Sequence, residues 1–224
     1  MKKSRFFKII ALIWGICGIV ILAGVIWPIF SYQTRSEREN PELLAPIPTK
    51  KVSNVSDDLD FTKASNWFYG GASKENFYST NISYYNISVP SLKIEDAIVA
   101  IGGEDLSKSL IQYPGTALPG KLGNAVIFGH SVLPIFFNPK DYISIFSTLP
   151  TLKGGEDIII NYDNVTYKYQ VESSFDVNPT DIQVLQQDKS DSFLTLVTCV
   201  PPGDPRKPKR HIVRARVVPP EGSL

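Results

Sequence analysis

Residues 9–32 contain no charged side chain, and their apolar core runs from Ile9 to Phe30. A run of about 20 such residues is what a helix needs to cross a bilayer. Lys2, Lys3, Arg5 and Lys8 lie before it, so residues 1–8 are expected in the cytoplasm and residues 9–32 as a single-pass anchor in the cell membrane. Trp14, Trp27 and Tyr32 are candidate anchors, with Trp14 the deepest. A cleaved secretory leader is the competing reading. Against it, the run exceeds a usual leader core and no A-x-A site closes it. Under both readings the chain after Tyr32 faces outward.

An exported domain makes cysteine usage informative. The two cysteines are Cys17 and Cys199, and Cys17 sits inside the predicted span, so the outer part carries one thiol without a pairing partner. Residues 33–65 read as an extracellular linker, polar through about Asp60 and carrying Pro41, Pro46 and Pro48. Residues 66–219 are the expected folded domain, and 220–224 a short tail. The chain of 224 residues is 43% hydrophobic, enough for one core, and its net charge of +1 gives no global field for nucleic acid.

The folded region reads as short strands. Residues 82–89, 94–101, 124–128, 157–162, 165–171, 193–198 and 210–218 are rich in Val, Ile, Thr, Tyr and Phe. Asp163-Asn164 between two of them signals a hairpin. The run NAVIF at 124–128 has the unbroken apolarity of a buried strand. Helical signals are short: residues 141–149, and a helix capped near Thr180-Asp181 that runs to about Gln187. Many strands with few short helices indicate an all-β closed barrel or sandwich.

Cys199 closes the strand FLTLVT and opens into VPPGDP. A thiol at a strand end can face a groove, and Pro201 and Pro202 stiffen the loop beside it. The bland alternative is a small buried hydrophobe. A cysteine nucleophile needs a neighbouring base or cation. The two histidines are His130, which follows NAVIFG, and His211, and a histidine can also protonate a leaving amine. Gly129 before His130 permits unusual backbone angles or a close approach. Arg206, Lys207, Lys209, Arg210, Arg214 and Arg216 crowd the segment after Cys199. Alternation puts Arg210, Ile212, Arg214 and Arg216 on one face. That face reads either as a solvated strand edge or as the source of one arginine turned toward an oxyanion.

These residues resemble a known family, the sortases. GTALPGKLGNAVIFGHS at 115–131 resembles the family's histidine segment, and TLVTC at 195–199 matches its TLxTC signature. RHIVRA at 210–215 resembles the strand with the catalytic arginine, and residues 87–99 and 145–171 follow the family's opening and central patterns. The resemblance spans roughly residues 84–218. It implies an eight-stranded β-barrel with short helices. Cys199 is implied as the nucleophile that forms a thioacyl enzyme, His130 as general acid and base, and Arg210 as the oxyanion or peptide contact, with Arg214 the competing choice. Thr198, Ser131 and Pro201 are implied to touch the substrate.

The implied reaction cleaves an LPxTG-like sorting signal and passes the acyl group to an amine of a cell-wall precursor or of another surface protein. Water as acceptor gives slow hydrolysis. The active form is expected to pair a Cys199 thiolate with a protonated His130, with activity that varies between about pH 5 and 10. No cofactor is implied. Calcium binds some relatives, but Glu104, Asp105, Asp141, Glu156 and Asp157 form no ligand spacing. The loop at 200–209 is short and proline-rich, and no lid motif stands out ahead of the barrel. An L,D-transpeptidase is disfavoured by the lack of an SHGC-like signature, and a degenerate binding module by the presence of all three implied residues. A simple extracellular cysteine protease is the remaining alternative, separable by acceptor competition. The N-x-[ST] triplets at Asn54, Asn81, Asn86 and Asn164 read as chance.

Overall fold

The computed structural model describes residues 2–39, 60–78 and 83–219. The chain divides into two compact units, residues 1–41 and 42–224. The tether prolines, the 220–224 tail, Asn54 and Asn81 lie outside the described residues.

In the first unit, helix α1 spans Lys2–Glu39 and includes Pro28. Its part Ile10–Tyr32 has a mean hydropathy of 2.6 over its apolar window and buries none of that window. At ~1.5 Å per residue such a segment exceeds the ~30 Å hydrocarbon layer.

The second unit is a closed eight-stranded barrel. Its strands are β1 Ser83–Val89, β2 Ile94–Ile101, β3 Leu110–Gln112, β4 Gly123–Phe128, β5 Asp157–Tyr162, β6 Val165–Val177, β7 Ser192–Val200 and β8 Lys209–Val217. They close in the order β1-β2-β3-β4-β7-β8-β6-β5. The β2–β3 and β4–β7 pairs are parallel. The hairpin at Asp163-Asn164 forms with φ of 52° and 59° at these residues, the left-handed pair that a tight two-residue turn requires.

Two cores share the barrel wall. Ala125, Ile127, Leu194, Leu196, Val213 and Ala215 point into the interior, where they meet Ile87, Val99 and Ile160. Val126, Phe128, Val197, Cys199 and Ile212 point outward into a second cluster. Residues 61–77 cover that outer face with Trp67, Phe68 and Phe77. Every residue of β4 and β7 is therefore buried, which is why they read as continuous apolar runs.

The covering segment begins earlier than the sequence boundary at Asn66. Thr62 O accepts from Leu106 N at 2.8 Å and Ala64 N donates to Glu104 O at 3.0 Å. Trp67 Nε1 donates to Phe61 O at 2.9 Å. Residues 60–65, placed in the tether by their polarity, thus belong to the folded unit because their main chain is bonded to the barrel.

Both expected helices are corrected. Over residues 141–149 the main chain makes i to i−3 bonds, Ser144 N to Asp141 O, Ser147 N to Ser144 O and Leu149 N to Phe146 O. Ser144 Oγ bonds Asn138 O and Asp141 O, so serine hydroxyls compete with a helical ladder. Near residue 180 only the 3-10 turn Ile182–Leu185 forms. Gln187 leaves it to accept from Ala117 N and Asn124 N.

Trp67 is fully buried and stacks on Phe128 at 5.0 Å between ring centroids. Trp67→Ala is expected to lower the unfolding free energy by about 3–5 kcal/mol, measured as the shift in a urea unfolding midpoint.

Candidate active site

Three neighbouring strand ends build the site. In the parallel pair, Phe128 of β4 lies beside Val197 of β7, so Gly129-His130 leaves β4 where Thr198-Cys199 ends β7. Antiparallel β8 places Arg210 opposite Cys199. Hydrogen bonds fix this alignment. Gly129 N donates to Val197 O at 3.1 Å, Thr198 Oγ1 donates to Gly129 O at 2.8 Å, and Ser131 Oγ donates to Cys199 O at 2.7 Å.

Gly129 is required by close approach. A Cβ there would lie 2.2 Å from Phe146 Cδ2 and 2.6 Å from Leu110 Cδ2. The same Phe146 donates its main-chain N–H to His130 O at 3.1 Å.

His130 Nδ1 accepts from Ser131 N at 2.8 Å. This leaves Nε2 as the proton-bearing nitrogen of the neutral ring. His211, by contrast, faces Thr198 across the β7–β8 pair. Its Nδ1 lies 2.6 Å from Asp176 Oδ1 and its Nε2 2.9 Å from Ser174 Oγ, so this second histidine is engaged with β6.

Arg210 has no solvent exposure. Its Nε donates to Trp67 O at 2.9 Å, and its Nη1 to Lys207 O at 2.7 Å and Lys209 O at 3.1 Å. Its guanidinium carbon lies 5.5 Å from the Phe61 ring centroid and 5.7 Å from that of Trp67. Its Nη2 is buried and, among the described residues, has no hydrogen-bond partner. Arg214 and Arg216 instead lie over the Phe193 ring at 4.3 and 5.1 Å, and Arg216 pairs with Glu172 at 2.6 Å. Between the two candidates, the geometry favours Arg210 as the partner of Cys199.

The three residues implied to touch the substrate are buried and bonded within the protein in this structure. Thr198 and Ser131 have no exposed surface, and both hydroxyl protons are committed to main-chain carbonyls. Pro201 is also buried, follows a cis Val200–Pro201 bond, and its carbonyl accepts from Asp204 N at 3.1 Å. These residues hold the strand ends together. Among the described residues no three His, Cys, Asp or Glu side chains gather to hold a metal ion. Glu104 accepts from Ser65 and Tyr78, and Asp157 pairs with Lys168.

Burial sets the charge state. Cys199 is completely buried, which pushes its thiol up, while Arg210 and Lys207 pull it down. Burial, with Lys207 second, lowers His130 to about 4 against the opposing pull of Asp60 and Asp141. The resting pair is thus a neutral thiol and a neutral imidazole. A thiolate–imidazolium pair carries the same number of protons, so its share of this state does not change with pH between the two limits.

Sequence reasoning missed Phe61, Trp67 and Lys207. Phe61 fell before the assigned boundary at Asn66 and Trp67 just inside it with no role given, and Lys207 stood among six basic residues with nothing in the spacing to single it out.

A thiol, an imidazole and a guanidinium on adjacent barrel-strand ends are the groups that cysteine-based acyl transfer uses. A family profile described as "Sortase domain" matches residues 87–218, more than half of the chain. Sortase A of Bacillus anthracis is 24% identical over 97% of this chain and 97% of that protein. Sortase A of Staphylococcus aureus is 34% identical over 39% of this chain and about half, 47%, of that protein. The solved structure of a lid mutant of sortase A from Corynebacterium diphtheriae superposes with a TM-score of 0.54 at 28% identity, covering 64% of this chain and 74% of that one. The chain belongs to the sortase family, whose members are cysteine transpeptidases.

The lowered His130 and raised Cys199 set a pH profile that differs from the sequence expectation. The kcat/KM profile is expected to rise through about pH 4, stay level, and fall only above the ordinary thiol range, as checked with a peptide-cleavage assay. Gly129→Ala is expected to displace His130 and reduce kcat/KM by about 100-fold, with a crystal structure of the variant reporting the shift.

Proposed function

We propose that this protein is a membrane-anchored transpeptidase that cleaves an LPxTG-like sorting signal and joins the upstream polypeptide to an amine. The Cys199 thiol passes its proton to His130, Cys199 Sγ attacks the scissile carbonyl carbon, and the carbonyl oxygen becomes an oxyanion beside the Arg210 guanidinium. His130 gives its proton to the departing amine as the C–N bond breaks, leaving a thioacyl bond on Cys199. An acceptor amine then attacks the thioester carbon, His130 takes its proton, and the thiolate departs. The acceptor is an amine of a cell-wall precursor or of a second surface protein.

The observation that carries this reading is the buried Nη2 of Arg210 without a partner among the described residues, on the residue that faces Cys199 across the β7–β8 pair. An unsatisfied buried charged donor is costly. A donor beside a nucleophile is what a developing oxyanion requires. Helix α1 supports anchoring by its length and apolarity. The lysines and arginine before it support a cytoplasmic N-terminus and an extracellular barrel.

The access requirement follows from burial. Because Cys199 is buried in the cluster that includes Trp67, Phe68 and Phe77, peptide entry needs part of that cluster to shift. The test uses the full chain in detergent micelles with LPxTG-like peptides and a set of amines, analysed by mass spectrometry beside Cys199→Ala. Peptide joined to amine by the wild type and absent from the variant is the expected result. Cleavage that never yields a joined product at any amine concentration identifies a hydrolase instead.

A further inference from the structure

Lys207 stands in the β7–β8 loop with φ of 48°, and its side chain is buried. Its Nζ donates to Ser131 O at 2.9 Å. Its own carbonyl accepts from Arg210 Nη1 at 2.7 Å. One residue therefore touches the chain after His130 with its ammonium and the Arg210 guanidinium with its main chain. Ser131, at the far end of the ammonium contact, bonds Cys199 O through its hydroxyl. All three groups of the proposed mechanism are linked through this loop residue.

The charge on Lys207 lacks a conventional partner. Among the described residues no carboxylate lies within ion-pair distance of Nζ. Asp204, in the same loop, is taken by Arg206 through Nε at 3.0 Å and Nη2 at 2.7 Å. A buried ammonium that donates to a neutral carbonyl is expensive to keep charged, and burial does lower its affinity for the proton. The charged and titratable groups around it are Cys199 on β7, Arg210 on β8, Asp204 in its own loop and His130 after β4. Asp60 and Asp141 act on His130 from the covering segment and the β4–β5 connection. Of these, Cys199 is the group able to supply a new negative charge during the reaction.

We infer that Lys207 is a positioning residue of the transpeptidase site, whose ammonium anchors the His130 loop and serves as the fixed counter-charge for the Cys199 thiolate. The inference rests on the reading of Cys199 as nucleophile. It separates the two cations by what they touch: Arg210 faces Cys199 across the β7–β8 pair, and Lys207 holds the carbonyl of Ser131 next to His130, while both favour the thiolate. The sign for each group follows from Coulomb's law. A cation favours thiolate and disfavours imidazolium, so removing it raises the titration midpoints of both Cys199 and His130.

The experiment uses the full chain in detergent with Cys17→Ala, which leaves Cys199 as the sole thiol. Iodoacetamide alkylation rates are followed against pH, and the His130 imidazole is followed by NMR, for Lys207→Met, Lys207→Gln and Lys207→Arg. Lys207→Met and Lys207→Gln are expected to raise the alkylation midpoint by about one pH unit, a tenfold loss of thiolate at fixed pH, and to raise the His130 midpoint as well. Lys207→Arg is expected to keep both midpoints near wild type. Lys207→Gln keeps a donor for Ser131 O, so it separates charge from hydrogen bonding if Lys207→Met folds poorly. Midpoints unchanged in the Gln variant overturn the inference, even if peptide transfer slows. A Cys199→Ala protein that still transfers peptide overturns the nucleophile assignment instead, so the two failures are distinguishable.

Discussion

The burial of one guanidinium organises this molecule. Arg210 carries a permanent charge with no exposed surface, a placement that needs dense compensation. Three carbonyls supply it, from Trp67, Lys207 and Lys209, and two aromatic faces from Phe61 and Trp67 flank it. These groups come from the segment ahead of the barrel, from the β7–β8 loop and from the first residue of β8. The charge therefore ties the covering segment to the barrel wall and fixes the loop that carries Lys207. The same indole that caps Arg210 stacks on Phe128, the last residue of β4, so the cation and the outer core are held by one side chain.

The parallel β4–β7 pair does the corresponding work for the thiol and the imidazole. Antiparallel neighbours joined by a tight turn would send one residue up and the other down. Parallel neighbours deliver their C-terminal ends to the same edge. Inserting β8 antiparallel beside β7 then brings the start of β8 to that edge too. The alternation of β7 decides what each residue does there. Thr198 bonds Gly129 O, whereas Cys199 turns to the outer face beneath residues 61–77. A one-residue slip would exchange them, and the bonds Gly129–Val197, Thr198–Gly129 and Ser131–Cys199 hold the register.

Local signals were readable where local chemistry decides. Asp163-Asn164 specifies its turn through left-handed backbone angles, and NAVIF announces a strand covered on both faces. The site residues were legible as candidates from Cys199 and His130 at strand ends, and were ordered by the family resemblance. What stayed hidden depends on contacts distant in sequence. Alternation put Arg210, Arg214 and Arg216 on one face, but only the cover from Phe61 and Trp67 decides that the first is buried while Arg216 is half exposed. Strand β3 is three residues long, too short for a period to register. The helix expected over residues 141–149 failed because Ser144 and Ser147 serve neighbouring loops, with Ser147 Oγ accepting from Val132 N at 2.9 Å. Residues 60–65 looked like tether because their polar side chains hid a main chain bonded to the barrel.

Cover and charge state are two aspects of one condition. Desolvation is the largest influence on both Cys199 and His130, and it drives them apart: the thiol upward, the imidazole downward. Both shifts favour neutral forms, which is what a dry site does to ionisable groups. The fixed cations act unequally on this pair. Arg210 and Lys207 both favour the thiolate, while Lys207 opposes the imidazolium. Water or a peptide amide beside the sulfur would lower the desolvation penalty for both groups, with the cations still bound to their carbonyls. Proton transfer from Cys199 to His130 then becomes easier without any change in the protein's net charge. Burial thus favours the protonated Cys199 thiol, and the same geometry holds the charges that favour its ionised form.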